Sequence, residues 1–235
     1  LIGVFQGATQ KQVDQAYAHS ENAFTSWSAL TFAERRSYLE KALAFVLENK
    51  DWIIQVLIEA VGSTVIKANI EFGIAVDIFK QAIAIAGNNH GYIYPSSIPG
   101  KESRAYRKPL GVITVISPWN FPFVLSLRSA LFALVLGNAV VLKPAPQSTF
   151  IGGIIIAHIF DEVKLPKGVL NTIVGTNEVI GDYLVSHPVP RLISFTGSTP
   201  VGRHIGELCG KHLKKTALEL GGNNAFIVRE DADLD

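Results

Sequence analysis

Four short segments of the chain carry side chains that could bind a ligand or take part in a reaction. The first, residues 117–122 (Ser-Pro-Trp-Asn-Phe-Pro), holds Asn120 between two prolines that restrict the backbone. A rigid side-chain amide can donate a hydrogen bond to an oxygen that gains negative charge, which contributes about 3 to 4 kcal/mol to a transition state. Asparagine is also common at helix starts, so Asn120 could instead cap the helix that follows it.

The second and third segments combine a cation with a possible phosphate site. Lys143 ends an apolar run, where its ammonium could donate to ribose hydroxyls or a phosphate, although it could equally be a surface lysine whose stem covers apolar groups. Residues 195–202 (Phe-Thr-Gly-Ser-Thr-Pro-Val-Gly) offer glycine for close approach, hydroxyls and the free amides of a helix start. Together these groups suit a pyrophosphate, although the Gly-x-Gly-x-x-Gly fingerprint of ordinary dinucleotide sites is absent from the sequence.

The fourth segment, residues 218–224 (Leu-Glu-Leu-Gly-Gly-Asn-Asn), places Glu219 at the end of an apolar strand, with two glycines close behind it. Burial there would raise the pKa of Glu219 toward the range that suits a general base. A structural glutamate in a salt bridge fits the pattern equally well.

Charge and composition exclude several classes of partner. The formal net charge is +1 and the basic residues are scattered, so we expect neither a nucleic acid nor an anionic membrane as partner. The longest apolar stretch, residues 130–142, contains Gly137 and Asn138 and is shorter than the roughly 20 residues of a membrane span. A single cysteine, Cys209, and six dispersed histidines indicate no structural metal and a reducing compartment, which we take to be the cytoplasm.

The elements that must position these segments follow from hydrophobic periodicity. The N-terminal third has apolar residues at helical spacing, with a capping box at Thr31 and Glu34 and a long helical pattern over residues 63–86. Residues 91–109 change to alternating aromatic and polar residues around Pro95 and Pro99. This texture predicts two extended strands that project from the body, an arm of a kind that often serves oligomerisation.

After residue 110, short β-branched runs alternate with helical patterns. Strands are predicted at 112–116, 140–142, 170–174, 191–195, near 217 and at 225–228, and helices at 123–136, 150–163, 178–185 and 201–213. This order predicts an α/β fold: a Rossmann-like parallel sheet with helices on both faces. Because ligands bind at the carboxyl ends of such strands, we expect the functional edge in the loops after Ile116, Leu142, Val174 and Phe195.

The order and spacing of the four segments resemble the N-terminal, cofactor-binding half of the aldehyde dehydrogenase superfamily, and the resemblance covers essentially the whole chain. It implies that Asn120 stabilises an oxyanion, that Glu219 is the general base and that Lys143 binds the adenine ribose of NAD. Residues expected to contact the cofactor are Ser117, Pro118, Trp119, Lys143, Gly197, Ser198, Thr199, Gly202, Leu220 and Gly221.

The resemblance also implies a division of the chain. Residues 1–90 would be the N-terminal helical part of the cofactor-binding domain, 91–109 an oligomerisation strand pair, 110–222 the dinucleotide-binding sheet and 223–235 the start of a catalytic domain. We expect a homodimer or homotetramer. Because the first residues include no methionine and carry no charged signal-peptide start, we also expect the sequence to be a fragment.

The chemistry implied by the resemblance is oxidation of an aldehyde to the carboxylic acid. A cysteine thiolate attacks the aldehyde, hydride passes to the nicotinamide, and water activated by a base hydrolyses the resulting thioester. The family's nucleophile lies some thirty residues beyond the position of Glu219, and Cys209 precedes that glutamate within a helical pattern. We therefore expect the fragment to be inactive alone, and a non-catalytic dinucleotide-binding or oligomerisation module is the alternative.

Departures from the family pattern bear on the cofactor and the substrate. Pro146 stands where the family often has a glutamate that contacts the adenine ribose, so NADP is possible beside NAD, and Asn223 stands where a lysine is frequent. The segments look most like benzaldehyde and vanillin dehydrogenases, which implies an aromatic aldehyde. Glu219 argues against an acyl-phosphate or semialdehyde branch. Arg128 could line the substrate tunnel, face solvent or pair with an acid.

Overall fold

The computed structural model describes residues 3–88 and 91–233, so the outermost residues of the expected segments 1–90 and 223–235 lie outside it. Four helices come first: α1 (Gln10–Ala29), α2 (Phe32–Glu48), α3 (Lys50–Val61) and α4 (Val65–Ile85). At the start of α2 the Thr31 hydroxyl accepts the Glu34 N–H and the Glu34 carboxylate accepts the Thr31 N–H, which confirms the capping box. In the described ranges, no helix has both the length and the apolar character needed to cross a bilayer.

Two strands then form the predicted arm. Strands β1 (Tyr92–Pro95) and β2 (Glu102–Ala105) pair antiparallel, with Tyr92 opposite Ala105. All residues of both strands are exposed. The pair forms a two-stranded sheet of its own, separate from the main sheet, which is the strand pair expected for the arm.

The main sheet is parallel and has five strands in the described part of the chain, in the order β5-β4-β3-β6-β7. The strands are β3 (Val112–Ile116), β4 (Ala139–Lys143), β5 (Leu170–Thr172), β6 (Leu192–Thr196) and β7 (Lys215–Glu219). The helices after them are α5 (Pro122–Val135), α6 (Ile155–Glu162), α7 (Asn177–Ser186) and α8 (Thr199–Lys211), and a π-helical turn, Phe150–Ile154, leads into α6. The chain runs outward from β3 to β5 and then returns to the other side of β3, so the strand order reverses between β3 and β6.

Alternate residues of the central strands pack on opposite faces of the sheet. Ile113 and Val115 join the large core formed with α2 to α6, whereas Val112 joins a second core formed with α1 and α7. A parallel sheet is buried on both faces in this way because its crossover helices cover it. The structure therefore confirms the predicted α/β fold with helices on both faces.

One predicted strand is wrong. Residues 225–228 form no strand, and the side chains of Phe226 and Ile227 are 90% and 85% exposed. The apolar run has the composition of a strand, but a strand also needs a neighbour for its backbone N–H and C=O groups. In the described residues the run pairs with no other strand.

Candidate functional site

The carboxyl ends of β3, β4 and β6 open into a groove of about 560 Å³. The groove lies where the strand order reverses, which is the usual ligand position in doubly wound sheets. Several residues expected to contact the cofactor line it: Ser117, Pro118, Trp119, Lys143, Gly197 and Ser198. A larger cleft of about 860 Å³ beside α1 and α6 holds none of the residues singled out from the sequence. We therefore place the site in the groove, where polar groups from several strand ends converge.

Lys143 is the buried cation of this groove. It ends β4 and is only 1% exposed, yet its Nζ donates a hydrogen bond of 2.7 Å to Oδ1 of Asn177 at the start of α7. Burial lowers the pKa of Lys143 to about 8, and the negative charge of Glu178 partly opposes that shift. The alternative of a surface lysine is excluded, because the ammonium is held at the groove.

The loop after β3 is held from two directions. The Ser117 N–H donates to the carbonyl of Lys143 at 3.1 Å, and Ser117 Oγ lies 2.6 Å from Ser126 Oγ on α5. Trp119 follows with its side chain 59% exposed along the groove wall. The loop thus presents an aromatic surface to the groove from a backbone fixed to the sheet and to the next helix.

Asn120 does not cap the helix that follows. The N-cap residue of α5 is Phe121, which makes no side-chain cap hydrogen bond, and Pro122 is the first helical residue. Asn120 itself is exposed at the end of the loop. The alternative that Asn120 caps α5 is therefore excluded, and the role of Asn120 as an oxyanion donor stays a prediction.

A carboxylate from α4 takes over the capping of α5. Oε1 of Glu71 accepts the N–H groups of Phe123 and Val124 at 2.9 and 3.4 Å, and Oε2 lies 3.0 Å from Nζ of Lys67. The Glu71 side chain is entirely buried. Sequence reasoning missed this pair, which fixes the helix that begins directly after Asn120. The available signal was a Lys and a Glu four residues apart within an apolar helical pattern.

The segment after β6 leads directly into α8. The Gly197 N–H donates to the carbonyl of Glu219 at 3.0 Å, which ties the turn to the end of β7. Ser198 is the N-cap of α8 and makes no side-chain cap hydrogen bond. The amides of this helix start, beside the groove, are therefore available to an anion, which helix N-termini favour.

The remaining residues of the expected cofactor set lie between α8 and the end of β7. A Cβ on Gly202 would stand 2.2 Å from Cδ2 of Leu220, and a Cβ on Gly221 would stand 3.3 Å from Oγ1 of Thr199. These glycines allow the chain after β7 to lie close against α8. The structure does not place these four residues in the groove lining, and their contact with a cofactor stays a prediction.

Glu219 ends β7, but the expected burial is wrong. Its side chain is 69% exposed, and Nη2 of Arg128 lies 3.9 Å from its carboxylate. The reason is that β7 is an edge strand of the sheet in the described part of the chain, so a neighbouring strand covers it on one side only. Of the three alternatives for Arg128, the structure shows the pairing with an acid.

Cys209 is a packed thiol. It lies on α8, is 1% exposed and packs in a small core with Phe195 and Ile205. Burial raises the pKa of its thiol, which disfavours the reactive thiolate. No cluster of three or more potential metal ligands occurs in the described ranges.

The reversed strand order and the groove at the strand ends define a doubly wound α/β protein with a ligand position at the reversal. The model of the aldehyde dehydrogenase family matches residues 1–235, and the chain belongs to that family. It is 49% identical to a benzaldehyde dehydrogenase of Bacillus subtilis, with 98% of this chain and 48% of that protein aligned. It is also 49% identical to a vanillin dehydrogenase of Corynebacterium glutamicum, over 100% of this chain and 49% of that protein.

Solved structures agree with this assignment. A crystal structure of an NAD-dependent benzaldehyde dehydrogenase from Corynebacterium glutamicum matches with a TM-score of 0.92 and 47% identity, over 100% of this chain and 51% of that one. The chain thus spans about half the length of the relatives that it matches.

Proposed function

We propose that this chain is the cofactor-binding half of an NAD(P)-dependent aldehyde dehydrogenase that oxidises an aldehyde to the carboxylic acid. The observation that carries the proposal is the groove, in which a buried ammonium, Lys143, and the uncapped start of α8 lie at the reversal point of the sheet. Relatives named as benzaldehyde and vanillin dehydrogenases support it. NAD is the expected cofactor, and NADP is possible because Pro146 brings no carboxylate to the groove.

The groove residues fit a dinucleotide by their chemistry. Lys143 would donate to the hydroxyls of the adenine ribose, and the start of α8 after Gly197 would receive the pyrophosphate. Ser117, Pro118 and Trp119 would form the wall on the β3 side. Bound NAD⁺ would supply the acceptor for the hydride that leaves the substrate.

The catalytic groups of this chain would act at the reacting carbon. The Asn120 amide would donate to the aldehyde oxygen when a thiolate adds to the carbonyl, and Glu219 would take the proton of the water that hydrolyses the thioester. Because Cys209 is buried with a raised pKa, we assign the thiolate to a cysteine of the whole enzyme outside residues 1–235. Nη2 of Arg128, 3.9 Å from the Glu219 carboxylate, would lie beside this base.

Substrate, assembly and location follow from the same proposal. The relatives' names favour an aromatic aldehyde such as benzaldehyde or vanillin.

Residues 1–90 and 110–222 would form the cofactor-binding domain and 223–235 would begin the catalytic domain. The arm, residues 91–109, would join subunits into a homodimer or homotetramer, since apolar side chains such as Ile93 are 68% exposed on it. We place the enzyme in the cytoplasm.

The test uses the protein at the full length that its gene encodes. Reduction of NAD by benzaldehyde and by vanillin is followed with the unaltered protein, Asn120→Ala and Glu219→Gln. Loss of one oxyanion donor lowers kcat by about 10² to 10³. The control is Glu40→Gln on α2. Glu40 is exposed and does not line the groove, so this substitution should not change the rate. Binding of NAD without turnover of any aldehyde would favour the non-catalytic module, and absence of NAD binding would refute both.

A further inference from the structure

The groove contains a carboxylate that the expected cofactor contacts do not use. Glu178, the second residue of α7, lines the groove together with Asn177 and Lys143. The Lys143 Nζ donates to the side chain of Asn177, so the ammonium is held against the first turn of α7, where Glu178 lies. The sequence predicts that Glu178 begins a helix, but no local pattern indicates that this helix start lies near Lys143, 35 positions earlier.

Lys143 and Glu178 are charged groups of the same groove lining. Burial lowers the pKa of Lys143 to about 8, and the attraction of Glu178 opposes that shift. The pKa of the Glu178 carboxyl lies below its usual value because its own backbone N–H and Thr176 donate to it, with a further contribution from Lys143. At neutral pH the groove lining therefore contains an ionised carboxylate, Glu178, as well as the buried ammonium of Lys143.

The groove lining offers few other carboxylates that could act near Lys143. Pro146, which follows β4 into the same groove, carries no charge. Among the described residues that line the groove, Asp182 is the only further carboxylate, and its Oδ1 lies 2.8 Å from Nε2 of His204. Glu178 is thus the lining carboxylate that adjoins Asn177, the hydrogen-bond partner of Lys143.

We propose that Glu178 makes this groove prefer NAD to NADP, because its carboxylate lines the groove directly after Asn177, the residue that accepts the hydrogen bond of the Lys143 ammonium. The inference rests on the proposed function, since it assumes that Lys143 faces the adenine ribose. A carboxylate there can accept a hydrogen bond from the free 2′-hydroxyl of NAD, whereas the 2′-phosphate of NADP brings like charge to it.

The experiment measures the dissociation constants of NAD and NADP by titration calorimetry on the full-length protein. We expect the unaltered protein to bind NAD more tightly. Glu178→Gln should shift the ratio of the two constants toward NADP by about tenfold, as expected for loss of one like charge near the phosphate. Glu178→Asp retains the charge and should retain the preference. Glu207→Gln on α8 is the matched control, because it removes the same charge outside the groove lining.

The outcomes separate the inference from the function on which it rests. An NADP affinity equal to that for NAD in the unaltered protein, or an unchanged ratio in Glu178→Gln, would overturn the inference while cofactor binding stands. An equal shift in Glu207→Gln would also overturn it, since net charge alone would then explain the effect. Failure to bind either cofactor would overturn the proposed function, and the inference with it.

Discussion

Replacing Glu71 by alanine removes three interactions from one buried position. The carboxylate accepts the N–H groups of Phe123 and Val124 and pairs with Lys67. Phe121, the N-cap of α5, makes no side-chain cap hydrogen bond that could replace the carboxylate. The substitution therefore leaves the start of α5 without the acceptor that now serves it.

The expected loss of stability follows from these contacts. Loss of a helix cap costs about 1 to 2 kcal/mol, and each buried donor left unpaired costs about 1 to 3 kcal/mol, with overlap between the two. Phe123 and Val124 are 0% and 5% exposed, so water reaches them poorly. Lys67 is 29% exposed and also donates to Ser63, so its charge can be solvated after the change. We expect a loss of about 3 kcal/mol, at the lower end for breaking a buried pair.

Two further variants make the prediction specific. Glu71→Gln retains an oxygen for the two N–H groups but loses the charge, and we expect a loss of about 1 to 2 kcal/mol. Glu40→Ala is the matched control, because Arg36 and Glu40 have the same spacing and order on α2, at 2.7 Å, with both side chains about half exposed. An exposed pair of this kind contributes about 0.5 kcal/mol or less.

The free energy of unfolding is measured by urea denaturation, and amide hydrogen exchange is followed at the first turn of α5. Glu71→Ala should lower the stability clearly more than Glu40→Ala and speed exchange at Phe123 and Val124. If the two alanine variants differ by less than about 1 kcal/mol, the carboxylate does not hold α5. The positioning of Asn120 would then need another explanation.

Three other perturbations have defined outcomes. The buried hydroxyl of Tyr17 lies 2.7 Å from Oγ1 of Thr114, so Tyr17→Phe should cost about 1 to 3 kcal/mol in urea denaturation, and an unchanged midpoint would contradict that. Because the pKa of Lys143 lies at about 8, its side chain is charged below that pH and neutral above it. Calorimetry should therefore show that NADP binds more weakly as the pH rises through 8. An affinity that stays constant over this range would refute the prediction. A Cβ on Gly91 would stand 2.1 Å from the carbonyl oxygen of Ala105, so Gly91→Ala should disturb the arm. Sedimentation velocity should then show a smaller fraction of oligomer. An unchanged fraction would mean that the arm does not join the subunits.

The parallel sheet could be predicted from sequence because its signals are local. Each of β3, β4 and β6 is a short β-branched or apolar run between helical patterns, and the connections are long enough for crossovers. The same signal failed at residues 225–228, where the run is apolar but pairs with no strand in the described part of the chain. Composition indicates that a segment can form a strand, whereas pairing depends on what lies beside it.

The candidate site could be predicted in part, for a related reason. Lys143 and Ser117 were expected at strand ends, and strand ends meet at one edge of a parallel sheet. The partners that decide how these groups behave come from elsewhere. Asn177 meets Lys143 across 34 positions, and Glu71 meets Phe123 across 52. No local sequence pattern predicts such contacts. The hydrogen bond of Lys143 in the groove and the cap of α5 could therefore be seen only in the folded structure.

Glu71 and Glu178 are glutamates that the fold places in different surroundings, one in a buried ion pair and one in the groove lining. Lys67 and Glu71 lie on one helix, and the glutamate is fully buried, with Oε1 accepting two backbone N–H groups and Oε2 paired with Lys67, so this pair supports structure. Lys143 and Glu178 come from a strand end and a helix start, and both line a groove that is open to a ligand. A ligand that enters the groove therefore meets both charges. For this reason the specificity of the site should respond to Glu178, whereas its rigidity should respond to Glu71.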